Sequence, residues 1–235
     1  MRKGKYYKYI KRKPRRQRDV LSATLTLILI NFVFFIFVLS VMTKYPDFIN
    51  LIAIKPSAIV QGKCLWTIFT NMFMHGFPTH LFVNMLSLFF IGSFLEKVIG
   101  KKRFLFLYLV GGIIAALFFV LLFALFEDPR LIVLSIFGIA GSKEQIIAVG
   151  ASGAIFALAG TLVILTPNIP VLVMFVFPAR LWVGILALLL ILSFMPNVAN
   201  SAHIGGFLFG LFYGLYLKKK YRRKVMLLRR YLGLH

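Results

Sequence analysis

The chain has 235 residues, of which 60% are hydrophobic and only 14% charged, and its mean hydropathy is +0.91. That is far more apolar than a water-soluble domain of this length, and repeated apolar runs of about 15–23 residues predict an all-α, multi-pass membrane protein. The net charge of +22 does not point to nucleic acid: ten of the 28 Lys and Arg lie in residues 1–18 and eight in residues 218–230, the places of basic anchors beside membrane spans, with no aromatic–basic module near them.

Residues 1–19 form a basic segment expected on the cytoplasmic side. Val20–Met42 predicts the first span; it is longer than a signal-peptide core and lacks a small-residue cleavage site, so it is expected to be retained. Residues 43–78, with Pro56, Gly62, Trp66, Gly76 and Pro78, predict a long first loop. His80–Val98, Phe104–Phe126, Gly150–Leu165, Leu181–Met195 and Ala202–Leu217 complete six spans, giving a membrane domain over residues 20–217 and a basic cytoplasmic tail over 218–235. Leu131–Ala140 and Ile169–Phe177 are too short to span, and Pro167, Pro170 and Pro178 punctuate the second, so both are expected to be re-entrant or interfacial. No segment alternates with period two over strand length, which argues against a membrane barrel. The single cysteine, Cys64, cannot form an intrachain disulfide.

Six spans put both termini on one side, and the charges test this. The ten N-terminal cations, Lys97, Lys101, Lys102, Arg103, Arg180 and the eight C-terminal cations then lie inside, leaving only Lys44, Lys55, Lys63, Arg130 and Lys143 outside. Seven spans would place the C-terminal eight outside, against the positive-inside rule. With six, the second, fourth and sixth spans all run from outside to inside. Their first turns, holding His80 and Asn84, Ser152, and His203, therefore share one depth near the outer face.

A serine hydroxyl needs a base within hydrogen-bond reach to become a nucleophile. Ser152 stands in "AVGASGAIFALAG" between Gly150 and Gly153, and His203 stands in "ANSAHIGGFLFGLFYG" three residues before Gly206. Gly206, Gly210 and Gly214 form a small-residue ridge, and Gly153, Ala157 and Gly160 a second; packing one on the other brings Ser152 and His203 together. His80 and Asn84 are four residues apart on one helical face, His75 lies just upstream in position to orient them, and the Ser152 amide opens a helix with no intrahelical partner. Taken singly, each residue has a structural explanation: a packing serine, satisfied interhelical histidines and a tight helix pair. It is their convergence at one depth that favours chemistry.

The motifs "GASG" around Ser152, "AHIGG" around His203 and "HGFPTHLFVN" from His75 to Asn84 resemble those of the rhomboid family of intramembrane serine proteases. So does "GSFLEKVIGKKRFLFLYLVGG", Gly92 to Gly112, and the likeness runs from Trp66 to Gly214 in order and spacing. The resemblance implies a six-helix bundle of rhomboid type with Ser152 as nucleophile and His203 as general base, a dyad without an acid. It implies that His80, Asn84 and the Ser152 backbone N–H stabilise the oxyanion, and that an aromatic at Phe156 stacks on the histidine. A tyrosine is common at that place, so Phe156 keeps the ring and loses the hydroxyl. Thr67 follows Trp66 where the family often has arginine, a departure that bears on the anchoring of the first loop. Glu96 is expected to be a structural tie at the inner end of the second helix, toward the neighbouring basic loop.

The six acids, Asp19, Asp47, Glu96, Glu127, Asp128 and Glu144, all lie away from mid-span, which excludes a buried Ser-His-Asp triad and a paired-aspartate protease. No H-E-x-x-H cluster is present, so neither metal nor cofactor is expected. The resemblance implies transmembrane protein substrates that enter beside the fifth helix, with "PNVAN" as a movable cap. Anionic lipid at the basic termini is a further candidate partner, and the plasma membrane the expected location. Two alternatives stand beside the protease: an inactive rhomboid-like protein that binds membrane clients, and a small transporter, which would be expected to line a path through the bilayer with ionisable groups.

Overall fold

The computed structural model describes residues 22–126, 147–173, 176–193 and 199–233. Ser22 caps the first helix, α1 (Ala23–Met42), by accepting from the Leu25 amide at 3.2 Å. This helix is apolar on all sides and turns Leu29, Val33 and Ile36 outward, as a helix solvated by lipid does. The orphan amides of its first turn are met from far along the chain. The Glu96 carboxylate accepts from the Ala23 amide at 2.8 Å, the Thr24 amide at 2.9 Å and the Thr24 hydroxyl at 2.7 Å. The tie expected at Glu96 is present: its charge acts on Lys101 of the basic loop, and its hydrogen bonds go to the first turn of α1, where a carboxylate satisfies orphan helix donors and sits at the positive end of the dipole.

The first loop is built from short helices, Ile49–Ile52, Pro56–Val60 and Thr67–Thr70. Trp66 Nε1 donates to the Leu51 carbonyl at 2.7 Å and Thr70 Oγ1 to the Ile52 carbonyl at 3.1 Å, while Ile54 and Ala148 exchange backbone hydrogen bonds at 3.0 Å. Thr67, in the place where an arginine is common, is buried and donates to the Cys64 carbonyl at 2.7 Å. These contacts anchor the loop.

Pro78 opens α2 (Pro78–Ile99), where its missing N–H costs nothing; a wider π-type turn over Leu88–Gly92 interrupts it. Gly100, at φ +84°, turns the chain directly into α3 (Lys101–Phe126). The first three helices are long and apolar enough to cross a membrane; α4 (Ser152–Leu165) is apolar but shorter. It runs through the middle of the molecule, with nearly every side chain buried against Leu88 and Leu95 of α2 and Leu107 and Tyr108 of α3.

The segment expected to be re-entrant or interfacial forms an antiparallel hairpin, β1 (Pro170–Val173) with β2 (Phe177–Arg180), Pro170 opposite Arg180. Prolines at strand starts and valines on a short two-stranded ribbon fit that geometry better than a helix. Leu131–Ala140 lies outside the described residues, as do residues 194–198 with most of the expected cap. After α5 (Leu181–Ser193), α6 (Asn200–Lys220) continues past the expected boundary at 217. The expected tail also folds back as α7 (Arg222–Tyr231), where Arg229 donates from Nε to the Leu165 carbonyl at 2.9 Å and from Nη2 to the Ile164 carbonyl at 3.0 Å. The last carbonyls of α4 are thus capped by a residue 64 positions on.

Candidate active site

Small residues determine how closely α4 and α6 approach. A β-carbon added at Gly206 would strike the Gly153 carbonyl, and one at Gly210 the Ala157 carbonyl, so the two backbones touch where glycine alone leaves room. One turn further on, a β-carbon at Gly214 would lie 2.9 Å from Cβ of Ile164. The Thr161 hydroxyl donates across the same seam to the Gly210 carbonyl at 2.8 Å.

At the end of this seam Ser152 is the first residue of α4 and His203 lies in the first turn of α6. Ser152 Oγ and His203 Nε2 are 2.7 Å apart. His203 is 5% exposed, and its Nδ1 has no hydrogen-bond partner among the described residues. The Phe156 ring, one turn along α4, lies 4.7 Å from the imidazole at 32°. For Nε2 to accept the serine proton the ring must carry its own proton on Nδ1.

The loop before α4 brings further groups to Ser152. Gly150 has φ +117° and its amide donates to the Asn71 carbonyl at 2.9 Å. A β-carbon there would fall 2.8 Å from His80 Nε2, so only glycine lets the imidazole lie against this backbone. The Ala151 amide donates to His75 Nε2 at 3.4 Å, and the His75 and His80 rings meet edge to face at 5.1 Å. His75, buried in the loop, has its pKa lowered to about 4, first by loss of water and then by the nearby His80 charge; it is neutral at ordinary pH, as an acceptor must be. The Ser152 amide, in the first turn, has no carbonyl of its own helix to bond.

The expected partners of the oxyanion are therefore arranged unequally. His80 reaches the backbone just ahead of Ser152, but Asn84, though buried, turns its amide nitrogen back to the His80 carbonyl at 2.9 Å. One of its two amide hydrogens is used within α2. Sequence reasoning missed Asn71. It holds Gly150 through its carbonyl and is itself fixed by donating from Nδ2 to the Thr67 carbonyl at 2.7 Å and the Ile68 carbonyl at 2.8 Å. Its signal was an amide inside the otherwise apolar stretch "IFTNMFM". Asn71, Gly150, Ser152 and Ala199 also line a cavity of about 20 Å³, room for one water beside the serine.

Residues 62–220 match the Rhomboid domain family. The chain is 30% identical to Rhomboid protease AarA of Providencia stuartii over 86% of its own length and 74% of that protein's. It is 32% identical to RHOMBOID-like protein 1 of Arabidopsis thaliana over 69% of its length, and 26% identical to Inactive RHOMBOID-like protein 8 of the same plant over 64%. The chain spans little more than a third of either plant protein, 37% and 38%.

Proposed function

The chain belongs to the rhomboid family and is an integral membrane protein, and on that premise we propose that it is a serine endopeptidase cutting transmembrane segments within the bilayer, with Ser152 as nucleophile and His203 as base. The observation that carries this reading is the 2.7 Å contact between Ser152 Oγ and His203 Nε2, sealed by the Phe156 ring.

His203 Nε2 takes the hydroxyl proton as Oγ bonds to the scissile carbonyl carbon. The negative charge passes to the carbonyl oxygen, held by the Ser152 N–H, His80 and the remaining amide hydrogen of Asn84. As the tetrahedral centre collapses the C–N bond breaks, and His203 gives its proton to the leaving nitrogen. Water then adds to the acyl-enzyme, losing a proton to His203, and the ester bond breaks as Ser152 recovers that proton. No carboxylate among the described residues stands behind the imidazolium formed twice in this cycle; the π-face of Phe156 stabilises it instead. Substrates enter laterally beside α5, near the outer face set by six spans with both termini inside. The plasma membrane is the proposed location, and subcellular fractionation tests it.

Labelling of the reconstituted chain by a fluorophosphonate tests the dyad without a known substrate. The wild type is expected to react, and Ser152→Ala and His203→Ala each to abolish labelling. A folded wild type that the probe reaches but does not label would overturn the protease and favour client binding without cleavage.

A further inference from the structure

At the end of α4 and α6 opposite Ser152 and His203, α7 closes over a cavity of about 350 Å³. Its walls include Val98 of α2, Leu217 of α6 and Leu228 of α7, and its rim carries Lys97, Arg103 and Lys224. The rim is organised around Tyr221. Arg103 donates from Nη2 to its hydroxyl at 2.8 Å, stands 4.6 Å over its ring and fixes Nη1 on the Ile99 carbonyl at 3.0 Å, while Lys224 stands 5.8 Å over the same ring.

This positive charge has little to answer it. The acids among the described residues are Asp47 and Glu96; Asp47 lies beyond the far end of α1, and the single charge of Glu96, whose oxygens accept from α1, also acts on Lys101, leaving Lys97, Arg103 and Lys224 in excess. Meanwhile α7 turns Val225 and Leu228 inward but leaves Met226 and Leu227 more than half exposed beside Arg222, Arg223 and Arg230, the composition of a helix lying in a membrane interface. A free phosphate would answer the cations and leave the apolar walls in water. A zwitterionic lipid would cover the walls and bring a positive charge to a positive rim. Only an amphiphile with net negative charge satisfies both.

We propose that this cavity is a binding site for one anionic phospholipid, its phosphate between Lys97, Lys224 and Arg103 and the start of an acyl chain against Val98, Leu217 and Leu228. The site does not depend on proteolysis. Because α7 also holds the last carbonyls of α4 through Arg229, the lipid clamps the helix that begins at Ser152.

Native mass spectrometry of the full chain, offered equal amounts of dioleoyl phosphatidylglycerol and dioleoyl phosphatidylcholine, tests it. The wild type is expected to retain one phosphatidylglycerol with about tenfold preference. Lys97→Gln with Lys224→Gln removes that preference and the accompanying rise in thermal midpoint; Arg222→Gln with Arg230→Gln, which removes as much charge away from the cavity, keeps both. Val98→Trp, filling the cavity without touching the charges, also loses the lipid, so the outcome does not hang on the lysine variants folding. A hundredfold excess of glycerol phosphate leaves it bound. Equal retention of the two lipids by the wild type would overturn the proposal. So would equal loss in the two double variants, which means diffuse surface attraction, or displacement by glycerol phosphate, which means an anion site alone.

Discussion

His203 and His75 lie in the same apolar surroundings but face different neighbours. His203 presents Nε2 to a hydroxyl and its face to Phe156, which takes the place where a tyrosine is common and loses only a hydroxyl that stacking does not need. His75 works through the backbone: its Nε2 accepts from the Ala151 amide and so holds the turn that presents Ser152. Its pKa is lowered to about 4 against an ordinary value near 6.5, so the folded state binds its proton less tightly than the unfolded one. The stability it contributes is complete above about pH 6.5 and lost as pH falls toward 4, with an upper bound of about 3 kcal/mol. The thermal midpoint of the detergent-solubilised wild type should fall across that window, and His75→Gln, which keeps an acceptor and cannot titrate, should fall less steeply. Parallel curves would mean that His75 does not sense pH in this way. Asn84 shows what spacing alone does not settle: a position four residues from His80 says which face it shares, but the amide spends one of its two hydrogens on the carbonyl one turn back and has only the other to offer.

Between elements, the α4–α6 seam carries the site. Gly210→Ala would drive a methyl group into the Ala157 carbonyl, and backbone cannot swing aside as a side chain can. The helices must part by several tenths of an ångström, at a cost of about 1–3 kcal/mol, and the Ser152–His203 contact lengthens with them. Fluorophosphonate labelling should drop by about tenfold or more in this variant, with a lower thermal midpoint. Gly76→Ala, in open space, should leave both unchanged. Should Gly210→Ala label like the wild type, the seam would not be what aligns the pair. The ridge of small residues every four positions made this packing legible in the sequence. The hairpin was not, because a short apolar run broken by prolines fits a strand or an interfacial segment equally. Nor was α7, whose eight-cation neighbourhood reads as a solvated tail until Tyr221 and Val225, four residues apart, are given a surface to pack on.

Across the whole molecule, the apolar runs marked α1 to α3 because lipid demands long uninterrupted helices, while the partners of buried polar groups stayed hidden. Glu96 meets residues 72 and 73 positions away, and nothing local encodes that distance. Sidedness is set by a property the fold cannot show, the distribution of Lys and Arg relative to the bilayer. The chain ends α7 at the pole opposite Ser152, so the six-span arrangement requires Gly76 and Gly233 to face opposite compartments. With Cys64 replaced by serine, Gly76→Cys should react with a membrane-impermeant maleimide in intact cells, and Gly233→Cys only after the membrane is permeabilised. Both glycines have open space at the β-carbon; Gly233 sits at φ +66°, so its cysteine variant carries some backbone strain at a terminus that can absorb it. Reaction of both in intact cells would mean an odd number of spans, and the basic C-terminal helix would then face the outer leaflet. Reaction of Gly233→Cys alone would invert the protein and carry Ser152 to the inner face, where the proposed cleavage would release its products to the opposite side.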